Sequence, residues 1–388
     1  MTIGTRSNVP SISFGGLRLW DTTAVWPLIE TASATYSWTE LDAWLAKAQT
    51  AGADVLFTFG RTPSWATTGC SGTYSPGSCA QPPTDIGSGD TTFKTFVTAL
   101  VNHSVASSTA HIKYYECWNE PDLTGTWSGT AAQLVTMCSD MIAIVHSLDS
   151  TALVVGPSPS TANPSGVHFL PAYYAAGGAP YQDIVGLHAY IYGSGNPPPS
   201  TNCYGGSFNP GPGCVQVSIA QLQSLMIVNG IGSKPIFLTE GNWAPSNNST
   251  FTDDQKIAYL GQEYLLIWGS GTQVARYYWY AYDNTSGFGP LSISGTITPA
   301  GTAYGLLYNW LVGSTHVSNN CGIDSNGTTL CTLTRSGQPA QIYFNPTTTV
   351  SEPVSSTYVH DLTLDNATVN SISGGAVSVG AKPIMVTP

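Results

Sequence analysis

Charge is the scarcest property of this chain: Asp, Glu, Lys and Arg make up 9% of its 388 residues. Only 11 are Lys or Arg against 22 Asp or Glu, a net charge of -11. Such a surface lacks the clustered cations that phosphate backbones require, which argues against sequence-independent nucleic-acid binding. There is no G-x-G-x-x-G, so the usual phosphate loop of a doubly wound dinucleotide-binding sheet is missing. Seven histidines give neither H-E-x-x-H nor H-x-H, and no G-x-S-x-G occurs, so metal-hydrolase and esterase signatures are absent. No cofactor and no metal are expected. No apolar run reads as long enough to cross a membrane and no leader precedes the chain, so a mature secreted form without membrane contact is expected.

Apolar residues, at 42%, suffice for one large domain and a small one. Aromatics are abundant, with 11 Trp and 20 Tyr. Most must fill core space, but their apolar faces and polar edges also suit stacking against ring-shaped polar ligands. The eight cysteines avoid the C-x-x-C spacing of zinc sites. Cys70 and Cys79, Cys203 and Cys214, and Cys321 and Cys331 each bracket a short Gly-, Ser- or Pro-rich segment. Cys117 and Cys138 remain, and sequential pairing is the expectation, although spacing alone does not fix it. Disulfides imply an oxidising, extracellular setting.

Strand-like and helix-like runs alternate up to residue 312. Strands are expected at 16–20, 55–59, 113–118, 153–155, 184–188, 236–239 and 275–280, with 1–4 as a short first strand. Helices are expected at 39–50, stopped by Gly52, and at 253–268, opened by a Thr252 cap. Eight strands separated by helices predict an α/β protein with a (β/α)8 barrel over 1–312. Beyond that point β-branched runs at 328–334, 340–344, 357–364 and 376–379 lack a helical period. They predict a small antiparallel, sandwich-like β domain over 313–388, packed on the barrel and recruiting a strand from elsewhere. Two Pro/Gly-rich excursions, 68–89 and 193–214, follow strands and should rise on the face where barrel sites lie.

Two glutamates end strand-like runs: Glu120 in Cys117-Trp118-Asn119-Glu120-Pro121, and Glu240 in Phe237-Leu238-Thr239-Glu240-Gly241. Either alone would be an ordinary loop anchor. Together, in so uncharged a chain, they suggest a shared site with a paired-carboxyl chemistry, such as a proton donor beside a nucleophile or base.

Their setting resembles the retaining glycoside hydrolases of clan A, and within it family 39 and its relatives. The residues that carry the resemblance are Leu17-Arg18-Leu19-Trp20-Asp21, Thr62-Pro63-Ser64-Trp65, Glu116 to Asp122, His188-Ala189-Tyr190 and Leu238-Thr239-Glu240, in collinear order. The resemblance implies Glu120 as acid/base and Glu240 as nucleophile. It implies Asn119 on the sugar 2-hydroxyl, His188 and Tyr190 orienting the carboxylates, and Trp279 flooring the reactive sugar's subsite. Arg18 would hold Glu240 ionised or neutralise a deeper Glu116, and the two are compatible. Trp20 and Trp65 are candidates for outer sugar contacts, as are Trp127 and Trp243, with plain packing an equal alternative. A monomer acting on an oligo- or polysaccharide is the expected state. The competing readings are a non-catalytic carbohydrate-binding barrel and a transglycosylase on the same fold.

Overall fold

Short β-branched and aromatic runs alternate with amphipathic helices up to Leu311, and the main strands pair in parallel, with three two-stranded antiparallel pairs in the connections. The structure is a computed structural model that describes residues 1–70, 77–160, 169–190, 213–243, 248–284, 287–315 and 320–388. Gly16–Leu19, Asp54–Thr58, Ile112–Glu116 and Leu153–Val155 form one parallel sheet in that order. Val185–His188, Ile236–Glu240 and Val274–Tyr277 form a second. Seven of the eight expected strands are therefore present near their expected bounds. Residues 1–4 contribute a single parallel bridge, Thr2 with Arg18, rather than a strand. A second bridge, Val155 with Ile184, links the two sheets. The Thr2 N–H also donates to the Trp279 carbonyl at 2.9 Å, and its carbonyl accepts from the Tyr282 N–H at 2.9 Å.

One side of the strands packs as a small apolar cluster of Leu56, Tyr114, Val155, Ile184, Phe237 and Tyr278. The other side joins the main core beneath the helices. Helix Thr39–Ala51 stops at Gly52, whose φ of 65° is the left-handed cap expected there. Helix Asp253–Gly269 opens with a Thr252–Gln255 capping box.

Helix Ala131–Leu148 corrects the expectation that no run is long enough to span a membrane. Its 18 residues have a mean hydropathy of 1.3, enough by length and composition. Here its Leu134, Met137, Cys138, Met141 and Val145 are buried in the main core, and Cys138 is disulfide-bonded to Cys117 beside the strand ends. Cys70–Cys79 and Cys321–Cys331 are also paired as expected. The Cys203–Cys214 expectation lies outside the described residues, as does most of the 193–214 excursion.

After Leu311 the chain is all antiparallel strand. Seven short strands form one sheet with the path Ser314–Thr315, Thr329–Arg335, Gln338–Phe344, Ile384–Thr387, His360–Thr363 and Val369–Ser371, with Cys321–Ile323 added beside Thr329–Arg335. Val350–Pro353 and Ala376–Val379 pair separately, and Tyr343, Val377, Val379, Ile384 and Val386 pack as a cluster. Among the described residues all strand partners in these sheets come from 314–387, and none is borrowed from the preceding elements. The sheet rests on helix Asp253–Gly269: an added Cβ on Gly261 would meet Leu364 at 2.7 Å and Pro383 at 2.8 Å.

Candidate active site

Parallel strands bring their carboxyl ends to one edge, where side chains just past the last ladder bond converge. Arg18, Thr58, Glu116, His188 and Glu240 all stand at or next to such ends. The chain beyond Glu116 stays pinned. The Asn119 N–H donates to the Phe59 carbonyl at 2.7 Å, and the Glu120 N–H donates to the Ser158 carbonyl at 2.9 Å. Glu120 adopts φ 45°, a left-handed backbone rare for a residue with a side chain. Its carbonyl accepts from the Thr126 hydroxyl and from the Leu123 N–H, which secures that turn.

Arg18 is fully buried and organises the site. Its Nε donates to Glu116 Oε2 at 2.8 Å and its Nη2 to Asn119 Oδ1 at 2.7 Å, while Nη1 donates to Glu240 Oε1. One guanidinium thus contacts both carboxyls named as its possible partners, Glu116 and Glu240. Glu116 also accepts from the Thr58 hydroxyl at 2.7 Å and from the Ser158 hydroxyl. Burial alone would raise the Glu116 pKa, but Arg18, His188 and these hydroxyls hold it below the ordinary value. It is a satisfied structural anion beneath the cavity.

Glu240 and Glu120 differ in their partners. Glu240 accepts from Arg18 on one oxygen and from the Tyr190 hydroxyl at 2.7 Å on the other. Glu120 Oε1 lies 2.9 Å from His188 Nδ1, and that nitrogen is 3.5 Å from Glu240 Oε2. One proton between Nδ1 and Oε1 serves the closer contact, whichever atom carries it. Burial pushes Glu120 up to about 7, aided by the charges of Asp21 and Glu116 and opposed by Arg18. Burial lifts Glu240 too, against the pull of His188 and Arg18, which face it directly. Burial lowers His188, favouring a neutral ring. The environments therefore favour a protonated Glu120 beside a guanidinium-paired Glu240.

An oxygen of Glu120, an oxygen of Glu240 and a His188 nitrogen all lie within 4.8 Å of one another. By donor count such a triplet could ligate a metal. The guanidinium bonded to Glu240 places a fixed positive charge where a divalent cation would sit, so the set fits a metal poorly.

These carboxyls open into a cavity of about 310 Å³ that Trp20, Tyr190 and Asn119 also line. Trp20 is placed by Gly60: a Cβ there would lie 2.4 Å from its ring and 2.9 Å from Asn119 Cβ. Trp279 is not where it was expected. It is fully buried behind the wall, its indole N–H donating to the Gly289 carbonyl at 2.7 Å and its ring edge-on to Trp243 at 5.2 Å. Period-two alternation turns residues 277 and 279 toward the helices and 278 and 280 inward, so Tyr280, with Phe288, lines the cavity instead. Trp65 is half-buried, donates to the Glu30 carbonyl at 2.9 Å and does not line the cavity. Trp127 and Trp243 are core residues. Asp21, quoted above only as the last residue of a motif, lines the cavity, and Leu123 and Ser160 do so without having been singled out from sequence.

Comparison with known proteins identifies the family and the fold. The family described as "Glycosyl hydrolase catalytic core" matches residues 86–304, more than half of the chain. The chain belongs to that family. The match includes Asn119, Glu120, His188, Tyr190 and Glu240, while Arg18 and Trp20 precede it. Among solved structures, this glycosyl hydrolase is similar to a family 39 glycoside hydrolase from the gut symbiont Bacteroides cellulosilyticus WH2, with a TM-score of 0.69 and 16% identity over 96% of this chain and 75% of that one. It is also similar to a monomeric beta-xylosidase from Caulobacter crescentus CB15 (0.67; 15%; 98% and 91%). A GH30 endoxylanase from Clostridium papyrosolvens C71 is similar over 100% and 95% (0.62; 16%). No curated protein matches the sequence. The suspected kinship with clan A is thus supported at the level of family and fold.

Proposed function

We propose that this glycosyl hydrolase cleaves β-glycosidic bonds in oligo- or polysaccharides with retention, through a covalent intermediate on Glu240. The observation that carries the reading is the separation of the two carboxyls, with oxygens within 4.8 Å. Retaining enzymes keep their carboxyls about 5–5.5 Å apart, whereas inverting enzymes leave roughly 6.5–9.5 Å for a water. Glu120 gives its proton to the glycosidic oxygen as Glu240 attacks the anomeric carbon, releasing the leaving sugar. Glu120, now ionised, takes a proton from water as that water displaces Glu240. Arg18 and the Tyr190 hydroxyl hold Glu240 ionised and aimed. Asn119, its carbonyl oxygen fixed by Arg18, turns its amide toward the sugar 2-hydroxyl.

The same reading treats residues 1–312 as a closed (β/α)8 barrel and 313–388 as an accessory β domain. The bridges from Thr2 to Arg18 and from Val155 to Ile184, and the bonds between Thr2 and residues 279 and 282, support closure. A secreted location fits the disulfides, and a monomer fits the expectation from sequence.

The test is hydrolysis of aryl β-glycosides and plant polysaccharides by wild type and Glu240→Gln, with the anomer of the first product followed by NMR. Activity in wild type only, releasing the β-anomer first, is the expected result. Release of the α-anomer would overturn the retaining mechanism. Sugar binding without turnover in both proteins would overturn the hydrolase reading in favour of a binding barrel.

A further inference from the structure

With Glu120 and Glu240 assigned to bond cleavage, one carboxylate in the same cavity has no part in it. Asp21 lies just beyond strand Gly16–Leu19 and lines the cavity beside Trp20. It also lines an adjoining cavity of about 750 Å³, so it stands where the two meet. One of its oxygens accepts the Tyr280 hydroxyl. Tyr280 is fixed in turn by edge-on packing against Phe288 at 5.6 Å and Tyr190 at 6.1 Å. The other Asp21 oxygen is 3.8 Å from an Arg61 nitrogen, beyond hydrogen-bond reach, and the side chain is 33% exposed. The carboxylate is therefore fixed in direction and open toward the cavity.

We propose that Asp21 reads the hydroxyl groups of the sugar unit bound in the catalytic cavity, restricting that unit to neutral sugars and rejecting uronates. The inference rests on the glycosidase reading of the same site and adds the substrate class. Sugar hydroxyls are donors, and a carboxylate can accept from two neighbouring ones. A ring carboxylate on the substrate would instead bring like charge beside Asp21 and Glu240 in a confined cavity. The nearest cation at the floor, Arg18, is already shared among Glu116, Glu240 and Asn119. Arg61 lies over the Trp20 ring at 4.6 Å and faces Asp21 itself.

The experiment compares wild type, Asp21→Asn and Tyr280→Phe on 4-nitrophenyl β-glucoside, its 3-deoxy and 4-deoxy analogues, and 4-nitrophenyl β-glucuronide. Wild type should prefer the glucoside over the deoxy sugar whose hydroxyl is read by about 10- to 150-fold, the range of one charge-assisted hydrogen bond. Asp21→Asn should erase most of that preference and narrow the glucoside-to-glucuronide ratio by at least about tenfold. Tyr280→Phe, which frees the carboxylate without removing it, should shift both ratios the same way by less. If Asp21→Asn slows all four substrates by one factor, the inference is overturned. The same sugars without the aryl group are titrated calorimetrically in parallel. Neutral-over-uronate selectivity in binding without any turnover would sink the hydrolase reading and uphold this one. Equal binding of both sugars by wild type would sink this one alone.

Discussion

The Tyr190 hydroxyl donates to Glu240 Oε2 at 2.7 Å, the oxygen opposite the one held by Arg18. Both oxygens of the proposed nucleophile are thereby engaged before a substrate arrives, which fixes the plane of attack. Tyr190→Phe removes one charge-assisted bond, so kcat on an aryl β-glycoside should fall by about 10- to 150-fold. The donor favours the ionised form of Glu240, so its loss also raises that carboxyl's pKa. The acidic limb of the pH–rate profile should then move to higher pH. An unmoved limb with reduced kcat would mean that Tyr190 acts by packing alone.

The basic limb should report Glu120. Its pKa is pushed up to about 7, and the protonated form is the one that donates to the leaving oxygen. Activity with a poor leaving group should therefore decline as pH rises through about 7. With an activated aryl leaving group, which needs no proton, kcat/KM should hold steady to higher pH. Glu120→Ala should erase this difference, and added azide should restore turnover of the activated substrate. A basic limb that persists unchanged in Glu120→Ala would assign it to another group.

Gly60 makes a prediction that depends on shape rather than charge. A methyl group at this position would sit 2.4 Å from the Trp20 ring and 2.9 Å from Asn119 Cβ. Both neighbours are buried, so neither can swing aside freely. Gly60→Ala should cost about 1–3 kcal/mol of stability through overpacking. It should also lower kcat/KM by at least about tenfold, because sub-ångström placement of the cavity wall is part of catalysis. Thermal denaturation and steady-state rates on one preparation check both halves, and a wild-type rate would show that the wall tolerates displacement.

The same contrast explains what could be read from the chain alone. Glu120, Glu240, Arg18, His188 and Tyr190 were legible because each stands at or near the carboxyl end of an apolar strand, and a parallel sheet delivers such ends to one edge. Cys70–Cys79 and Cys321–Cys331 were legible from their short separations, and Cys117–Cys138 as the pair then left over. Trp279 was not, because in Tyr277-Tyr278-Trp279-Tyr280 every residue is aromatic and the inward parity carries no hydropathy signal. Arg276 held a clue: alternation from this partly buried cation, which pairs with Asp54, puts 278 and 280 on its face. The strand Ile384–Thr387, central in the last sheet, was missed because Ile384-Met385-Val386 is a continuous apolar run without the alternation that marks 376–379.

Asp90 tests the electrostatics away from the site. It is fully buried at the start of helix Thr91–Ala106, and burial together with Asp140 and Asp85 pushes its pKa up to about 8. The ordinary value is near 3.8, so between these limits the folded state binds a proton that the unfolded chain does not. Stability from this group is complete below about pH 4 and declines as pH rises toward 8. Asp90→Asn abolishes that titration, and asparagine tolerates the left-handed backbone, φ 50°, found here. The variant should match wild type near pH 4 and exceed it by on the order of 1–3 kcal/mol at pH 8. Urea denaturation at both pH values measures the difference. Because Asp90 neither lines the catalytic cavity nor touches its carboxyls, kcat should stay unchanged while stability rises. A stability gain of equal size at pH 4 and pH 8 would instead trace the effect to backbone preference rather than to the buried charge.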